Sequence, residues 1–127
     1  MEYLLDTHTL LWFLSNDKQL SSKALATIKP ANTICFTSIV SLWEIAIKSS
    51  LNKLNLHVPF SDFEKQLYQN DIQILPLTFQ DILTSHSQPF HHRDPFDRII
   101  ISQAIHHGLT IITKDSHFTQ YAVNTLW

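Results

Sequence analysis

Residues 94–115 read DPFDRIIISQAIHHGLTIITKD, and this stretch decides the fold class. Asp94 followed by Pro95 opens a helix, because aspartate is a favoured N-cap and proline fits the first helical position, where its missing N–H costs nothing. Ile100, Ile101, Ala104 and Ile105 then recur at helical spacing, with Asp97 on the same stripe. Gly108, the only glycine in the chain, stands where a left-handed C′ residue ends a helix. Thr110–Thr113 is short and β-branched, as a buried strand is, and Asp115 lies just past it.

Outward from this stretch the alternation continues. Tyr3–Leu5 is a short apolar strand and Thr7–Leu14 a helix; Ser21 and Ser22 are N-cap candidates for a second helix ending near Pro30. Thr33–Thr37 is β-branched and aromatic, a strand, after which Ser38 caps a long helix to about Ser50. Ser61–Glu64 (SDFE) carries a capping-box pattern for a helix to about Asn70. Ile72–Leu75 is the next strand, Thr78–Ser85 a short helix, residues 85–93 (SHSQPFHHR) a loop, and Val123–Leu126 a last strand. With no repeat and no linker, residues 1–127 are expected to form one α/β domain: a three-layer α/β/α sandwich on a mainly parallel sheet. In such sheets ligands bind outside the carboxyl ends of the strands.

Composition removes several functions. A single glycine excludes the P-loop and the dinucleotide fingerprint, which need several glycines close together. A single cysteine, Cys35, excludes an internal disulfide and a cysteine-based zinc site; it lies in a strand and reads as buried filler. The first residues lack a basic n-region and carry Asp6 inside their apolar run, so no signal peptide is expected. No apolar stretch is long enough to span a bilayer, and the expected location is the cytoplasm. Nine Lys+Arg against eleven Asp+Glu, with a pI near 6.4, argue against a broad basic nucleic-acid face. They leave open an enzyme whose acids are gathered in one metal-binding cleft: four acids placed there would turn the remaining balance from −2 to +2.

Four acids stand where such a cleft would be. Asp6 and Asp115 each lie just past a strand, and each reads equally as a helix or turn cap. In SIVSLWEIAIKSS (residues 38–50) the polar positions Ser41, Glu44 and Lys48 share one face of an otherwise apolar helix. That stripe faces either water, with a Glu44–Lys48 pair at i,i+4, or a polar cleft. Asp97 projects from an inward face one turn after Asp94, as a capping-type acid or a metal ligand, while Arg98 points off the stripe as a surface residue or a phosphate contact. Gathered carboxylates repel, and a divalent cation is the usual remedy; all-oxygen ligands suit Mg²⁺ or Mn²⁺ rather than zinc. The pairs His91–His92 and His106–His107 are expected to be surface or loop residues whose partners face different directions. Trp12, Trp43 and the eight phenylalanines read mostly as core, with exposed members available to a partner interface. A phosphoryl-transfer receiver would want an acidic pair after the first strand and an aspartyl phosphatase a second Asp two residues on. Thr7 and His8 stand there instead.

With these residues in place, the chain resembles PIN-domain proteins, most nearly the VapC-like ribonuclease toxins of type II toxin–antitoxin modules. The resemblance rests on LLDTHTLLWFL (4–14), SIVSLWEIAIKSSLNKL (38–54), HHRDPFDRIIISQAIHHGLTIITKD (91–115) and the short tail, in matching order and spacing. It implies a single Rossmann-like PIN domain whose acidic quartet falls on Asp6, Glu44, Asp97 and Asp115, with Asp94 as an accessory acid and Thr7 and Thr113 orienting ligands or water. It further implies metal-dependent RNA cleavage with Mg²⁺ or Mn²⁺ held by Asp6, Asp97 and Asp115, a homodimer, and a cognate VapB-like antitoxin. Lys48, Arg93, Arg98 and Lys114 are the expected contacts to the RNA backbone, and unpaired RNA the expected substrate. Two alternatives stay open: a PIN nuclease of RNA processing without an antitoxin, and a non-catalytic binding module of the same fold. The absence of an appended domain favours the toxin.

Overall fold

The computed structural model of the chain describes residues 1–91 and 94–127; His92 and Arg93 lie outside the described residues. Five strands, β1 (Glu2–Leu5), β2 (Ile34–Ser38), β3 (Ile72–Leu75), β4 (Thr110–Ile112) and β5 (Thr125–Leu126), form one parallel sheet in the order β3-β2-β1-β4-β5. Six helices connect them: α1 (Thr7–Leu14), α2 (Ser22–Ile28), α3 (Ile39–Ser50), α4 (Phe63–Gln69), α5 (Phe79–Ser87) and α6 (Pro95–His107). The strand order reverses at β1, whose neighbours β2 and β4 lie in chain directions that diverge from it. A crevice opens at the carboxyl end of such a switch point.

Strand alternation divides the apolar side chains between two cores. Tyr3, Leu5, Cys35, Ile72 and Ile112 face one side, where Leu10, Ala24, Ile28, Ile45, Phe63 and Leu67 from α1 to α4 cover them. Leu4, Leu75 and Ile111 face the other, under Ile100, Ile101 and Ala104 of α6, with Phe118 and Tyr121 closing the edge. Helices on both faces make the expected three-layer sandwich. No helix among the described residues is long and apolar enough to cross a membrane.

Local chemistry explains most boundaries. Ser21, Ser38 and Asp94 cap α2, α3 and α6 with side-chain oxygens that accept Ala24, Val40 and Phe96 N–H groups. Two expectations need correction. The SDFE box does not form: Pro59 starts a 3-10 turn over Phe60–Asp62, so Ser61 already has turned backbone, and Asp62 before α4 makes no side-chain cap bond. A capping residue must instead be extended. The box forms at Thr78–Asp81, where Thr78 is extended and the two residues exchange side-chain and backbone bonds. Secondly, α5 runs on through Ser87, so the expected loop loses its first three residues, and a 3-10 turn over Ser116–Gln120 was not foreseen. The aromatic residues are less buried than expected: Trp43 is 62% exposed, and Phe60, Phe79 and Phe90 are exposed too.

Gly108 adopts φ +66°, and a Cβ added there meets nothing within 4 Å. The cost of a side chain is therefore purely conformational. Gly108→Ala should lower stability by about 1 kcal/mol in chemical denaturation, and Gly108→Asn by less. Equal stability of Gly108→Ala and the parent chain would contradict this.

Candidate active site

Asp6 follows β1 directly and holds the switch point together. One carboxylate oxygen caps α1 by accepting the Thr9 N–H at 2.8 Å, and the other accepts the Thr113 hydroxyl at 2.6 Å. Thr9 returns its hydroxyl to the Ile112 carbonyl at 2.9 Å, so the ends of β1 and β4 are cross-tied. Both readings of Asp6 are thus met at once: it caps a helix and faces the crevice. Burial pushes its carboxyl above the usual range, against the hydrogen bonds from Thr113 and Thr9. Thr113 also accepts the Asp115 N–H at 3.0 Å, which sets the direction in which the chain leaves β4. Asp115 caps the following 3-10 turn through His117 N–H at 2.9 Å and contacts the His117 ring at the same distance.

Glu44 enters from α3 and is 3% exposed. Thr7 donates to its Oε1 at 2.7 Å and Lys48 to its Oε2 at 2.6 Å; the Thr7 hydroxyl also lies 3.0 Å from that of Ser41, which is fully buried. The polar stripe of α3 therefore faces a polar cleft, and the i,i+4 pair forms as well. The bond to Glu44 holds the Lys48 ammonium above its usual range against the effect of burial, and Asp94 and Asp97 act on it in the same direction.

Asp97, in the first turn of α6, is the focus of the cluster. Burial first, then the charges of Asp94, Glu44, Asp6 and Asp115, push its carboxyl up to about 8. Asp94 spends one oxygen on the cap, accepting from Phe96 and Asp97 N–H at 2.9 and 3.1 Å. The structure thus brings the four expected acids, with Asp94, into electrostatic contact at one sheet edge. No three of the quartet bring ligand atoms within 4.8 Å of one another among the described residues. A cation there would reach part of the quartet through its own waters, of which Mg²⁺ usually keeps several. A hard oxygen donor set and a carboxyl displaced by burial and by its neighbours' charge both fit a divalent cation.

The four basic residues separate. Lys48 is bound to Glu44 beside the acids. Lys114 lines a cleft of about 270 Å³ with Asp6, His8, Trp12 and Asp115, its Nζ 5.8 Å from the centre of the Trp12 ring. Arg93 lies outside the described residues. The reading of Arg98 as a surface or phosphate-contacting residue is corrected. It is only 7% exposed, donates to the carbonyls of Ser85, Gln88 and Pro89 and to the Tyr121 hydroxyl, and stacks on Phe90 at 3.9 Å. The i+1 offset from Asp97 turns it towards the end of α5, where unsatisfied helix carbonyls need a donor. His106 and His107 are exposed, as expected, but they do not face apart: their rings lie 4.5 Å apart and turn to the same residue, Asp81. The sequence assigned neither His8 and Trp12 to the cleft they line nor Thr9 to the brace on Asp6; the polar positions in DTHT were the available signal.

The raised Asp97 carboxyl makes stability depend on pH. Between its ordinary value of 3.8 and about 8 the folded chain holds a proton that the unfolded chain releases. Metal-free protein should therefore lose melting temperature as pH rises from about 5 to about 8, and Asp97→Asn should flatten that slope. A slope unaffected by the substitution would contradict the placement of Asp97.

Comparison with known proteins accords with this arrangement. The profile of the PIN domain matches residues 3–124. Ribonuclease VapC22 of Mycobacterium tuberculosis (strain ATCC 25618 / H37Rv) is 29% identical over 113 residues, covering 88% of this chain and 85% of the relative. Among solved structures, VapBC2 from Rickettsia felis bound to a DNA fragment from its promoter aligns with TM-score 0.71 at 14% identity, covering 99% of this chain and 98% of that one. VapBC-1 from nontypeable Haemophilus influenzae aligns with TM-score 0.66 at 17% identity, covering 99% and 97%. At such identities the structural likeness establishes the fold, and the profile match over nearly the whole chain establishes the family: this chain belongs to the PIN-domain family.

Proposed function

We propose that this chain is a divalent-metal-dependent ribonuclease and the toxin of a type II toxin–antitoxin pair. The observation that carries the reading is the cluster around Asp97, whose carboxyl is pushed to about 8 by burial and four neighbouring acids at the carboxyl edge of the sheet. A site of that kind is costly to hold together without a cation and ready to accept one. Family membership and the likeness to a ribonuclease over most of both chains supply the reaction class.

Asp6, Asp97 and Asp115 are the residues that would hold Mg²⁺ or Mn²⁺. The bound ion would supply Lewis acidity at the scissile phosphate and offset charge on the leaving oxygen. Thr113 fixes the Asp6 carboxylate and the Asp115 backbone, so two of the three ligands share one brace. Thr7 and Lys48 fix Glu44, which would orient water in the cleft. Trp12 offers a face on which an unpaired base can stack, and Lys114 beside it a charge for phosphate, a combination suited to single-stranded RNA. Asp94 serves as the cap of α6 and reaches the chemistry through its charge.

The partner half of the reading rests on likeness to VapBC complexes and on apolar side chains left at the surface. Ile39 and Trp43 of α3 and Phe79, Ile82 and Leu83 of α5 are exposed, and both helices pack on α6. A second copy of the chain and a VapB-like antitoxin are the partners proposed for such surfaces.

Cleavage of an unstructured RNA by the purified chain, with Mg²⁺ or Mn²⁺ and with excess chelator, tests the enzyme. Asp97→Asn should lose nearly all cleavage, and chelator should abolish it. Asp94→Asn should change little, since asparagine caps nearly as well as aspartate. Full cleavage in chelator, or an inactive Asp94→Asn beside an active Asp97→Asn, would overturn the assignment.

A further inference from the structure

At the other end of α6, roughly 14 Å along the helix from Asp97, a different set of ligands meets. Asp81 of α5 is fully buried, and its Oδ2 accepts both the N–H and the hydroxyl of Thr78 at 3.0 Å. Its Oδ1 is left to face α6, 2.8 Å from His106 Nδ1 and 3.9 Å from His107 Nε2. The three ligand atoms lie within 4.8 Å of one another, the one such group among the described residues. We propose that Asp81, His106 and His107 form a second cation site, for a borderline divalent ion of the Zn²⁺ class, which fastens α5 to the end of α6.

Five observations converge on this assignment. A fully buried carboxylate requires a cation or a donor, and here the proton shared with His106 fills that role. Zinc with bonds of about 2.0–2.1 Å sets its ligand atoms about 3.3 Å apart. The Asp81–His106 contact must open, and the Asp81–His107 contact close, by only about half an ångström, while the two ring nitrogens start within 4.8 Å of each other. Both imidazoles are about one-third exposed, so small ring movements suffice and water has access to the remaining coordination positions. The carboxylate that would coordinate is itself oriented by Thr78, the outer-shell support that metal ligands commonly have. Finally, the site lies in the last turn of α6, where the helix dipole favours positive charge. Two nitrogens and one oxygen select against Mg²⁺, so the two ends of α6 would hold different ions.

Calorimetric titration of metal-free protein with Zn²⁺ tests this, with Co²⁺ absorption as a reporter of nitrogen ligation. His107→Ala is the decisive variant, because it keeps the Asp81–His106 bond and removes a partly exposed side chain. One Zn²⁺ equivalent is expected that persists in Asp97→Asn and in excess Mg²⁺. Outer-shell partners alone are worth about 10–100-fold in affinity, so loss of the His107 ligand should weaken binding by more than roughly tenfold. The Co²⁺ band should disappear with it, while circular dichroism and RNA cleavage stay as in the parent chain. His106→Ala combined with His107→Ala should behave alike. Zn²⁺ binding that is absent, indifferent to His107→Ala, or lost in Asp97→Asn overturns the proposal.

Discussion

Carboxylates crowded at one place repel one another, and the architecture of this chain is arranged around holding them there. Asp6, Glu44, Asp97 and Asp115 come from β1, α3, α6 and the exit of β4, elements far apart in sequence. What fixes them is a set of short hydrogen bonds from hydroxyls and backbone amides: Thr113 and Thr9 on Asp6, Thr7 on Glu44, the 3-10 turn on Asp115. Neutral donors stabilise the charged form without cancelling its charge. Lys48 is the one full charge that answers Glu44 among the described residues, and it is bound at a single carboxylate oxygen. Burial, and after it the negative charge left unbalanced around it, pushes the Asp97 carboxyl up to about 8.

The same bonds that make the site also make the fold. The oxygen with which Asp6 starts α1 belongs to the carboxylate that faces the crevice, and the oxygen with which Asp94 starts α6 belongs to the acid next to Asp97. Capping and chemistry are therefore not competing roles for these residues. A carboxylate has about four lone-pair positions, and a cap uses one, as at Asp6, or two, as at Asp94. The parallel sheet supplies the rest of the geometry. With helices starting at the carboxyl ends of β1 and β2, their first turns point into one edge, and the reversal of strand order between β2 and β4 opens the space between them.

Much of this was legible in the sequence because it is local. Asp94-Pro95 and Gly108 bracket α6 by backbone chemistry alone, and the structure keeps both boundaries. The boundaries of α1 and β3 are likewise as read, since apolar spacing and cap residues agree there. The failures are all tertiary. SDFE and TFQD look alike as capping patterns, and only the turn imposed by Pro59 and the burial of Asp81 decide which one closes. Arg98 looked like a surface cation because its neighbours in sequence are polar or inward-facing; its destination, the carbonyls at the end of α5, lies in a different element. Adjacent histidines point apart on an isolated helix, but at the last turn of α6 both reach the one buried carboxylate that α5 presents.

The cluster around Asp97 is proposed as a cation site. Crystals grown with Mn²⁺, with diffraction recorded for the anomalous signal of manganese, test it most directly. A peak is expected that is bordered by the carboxylates of Asp6, Asp97 and Asp115, with Glu44 in the surrounding shell. A well-diffracting crystal with no manganese among these carboxylates, or with manganese only beside His106 and His107, would contradict it.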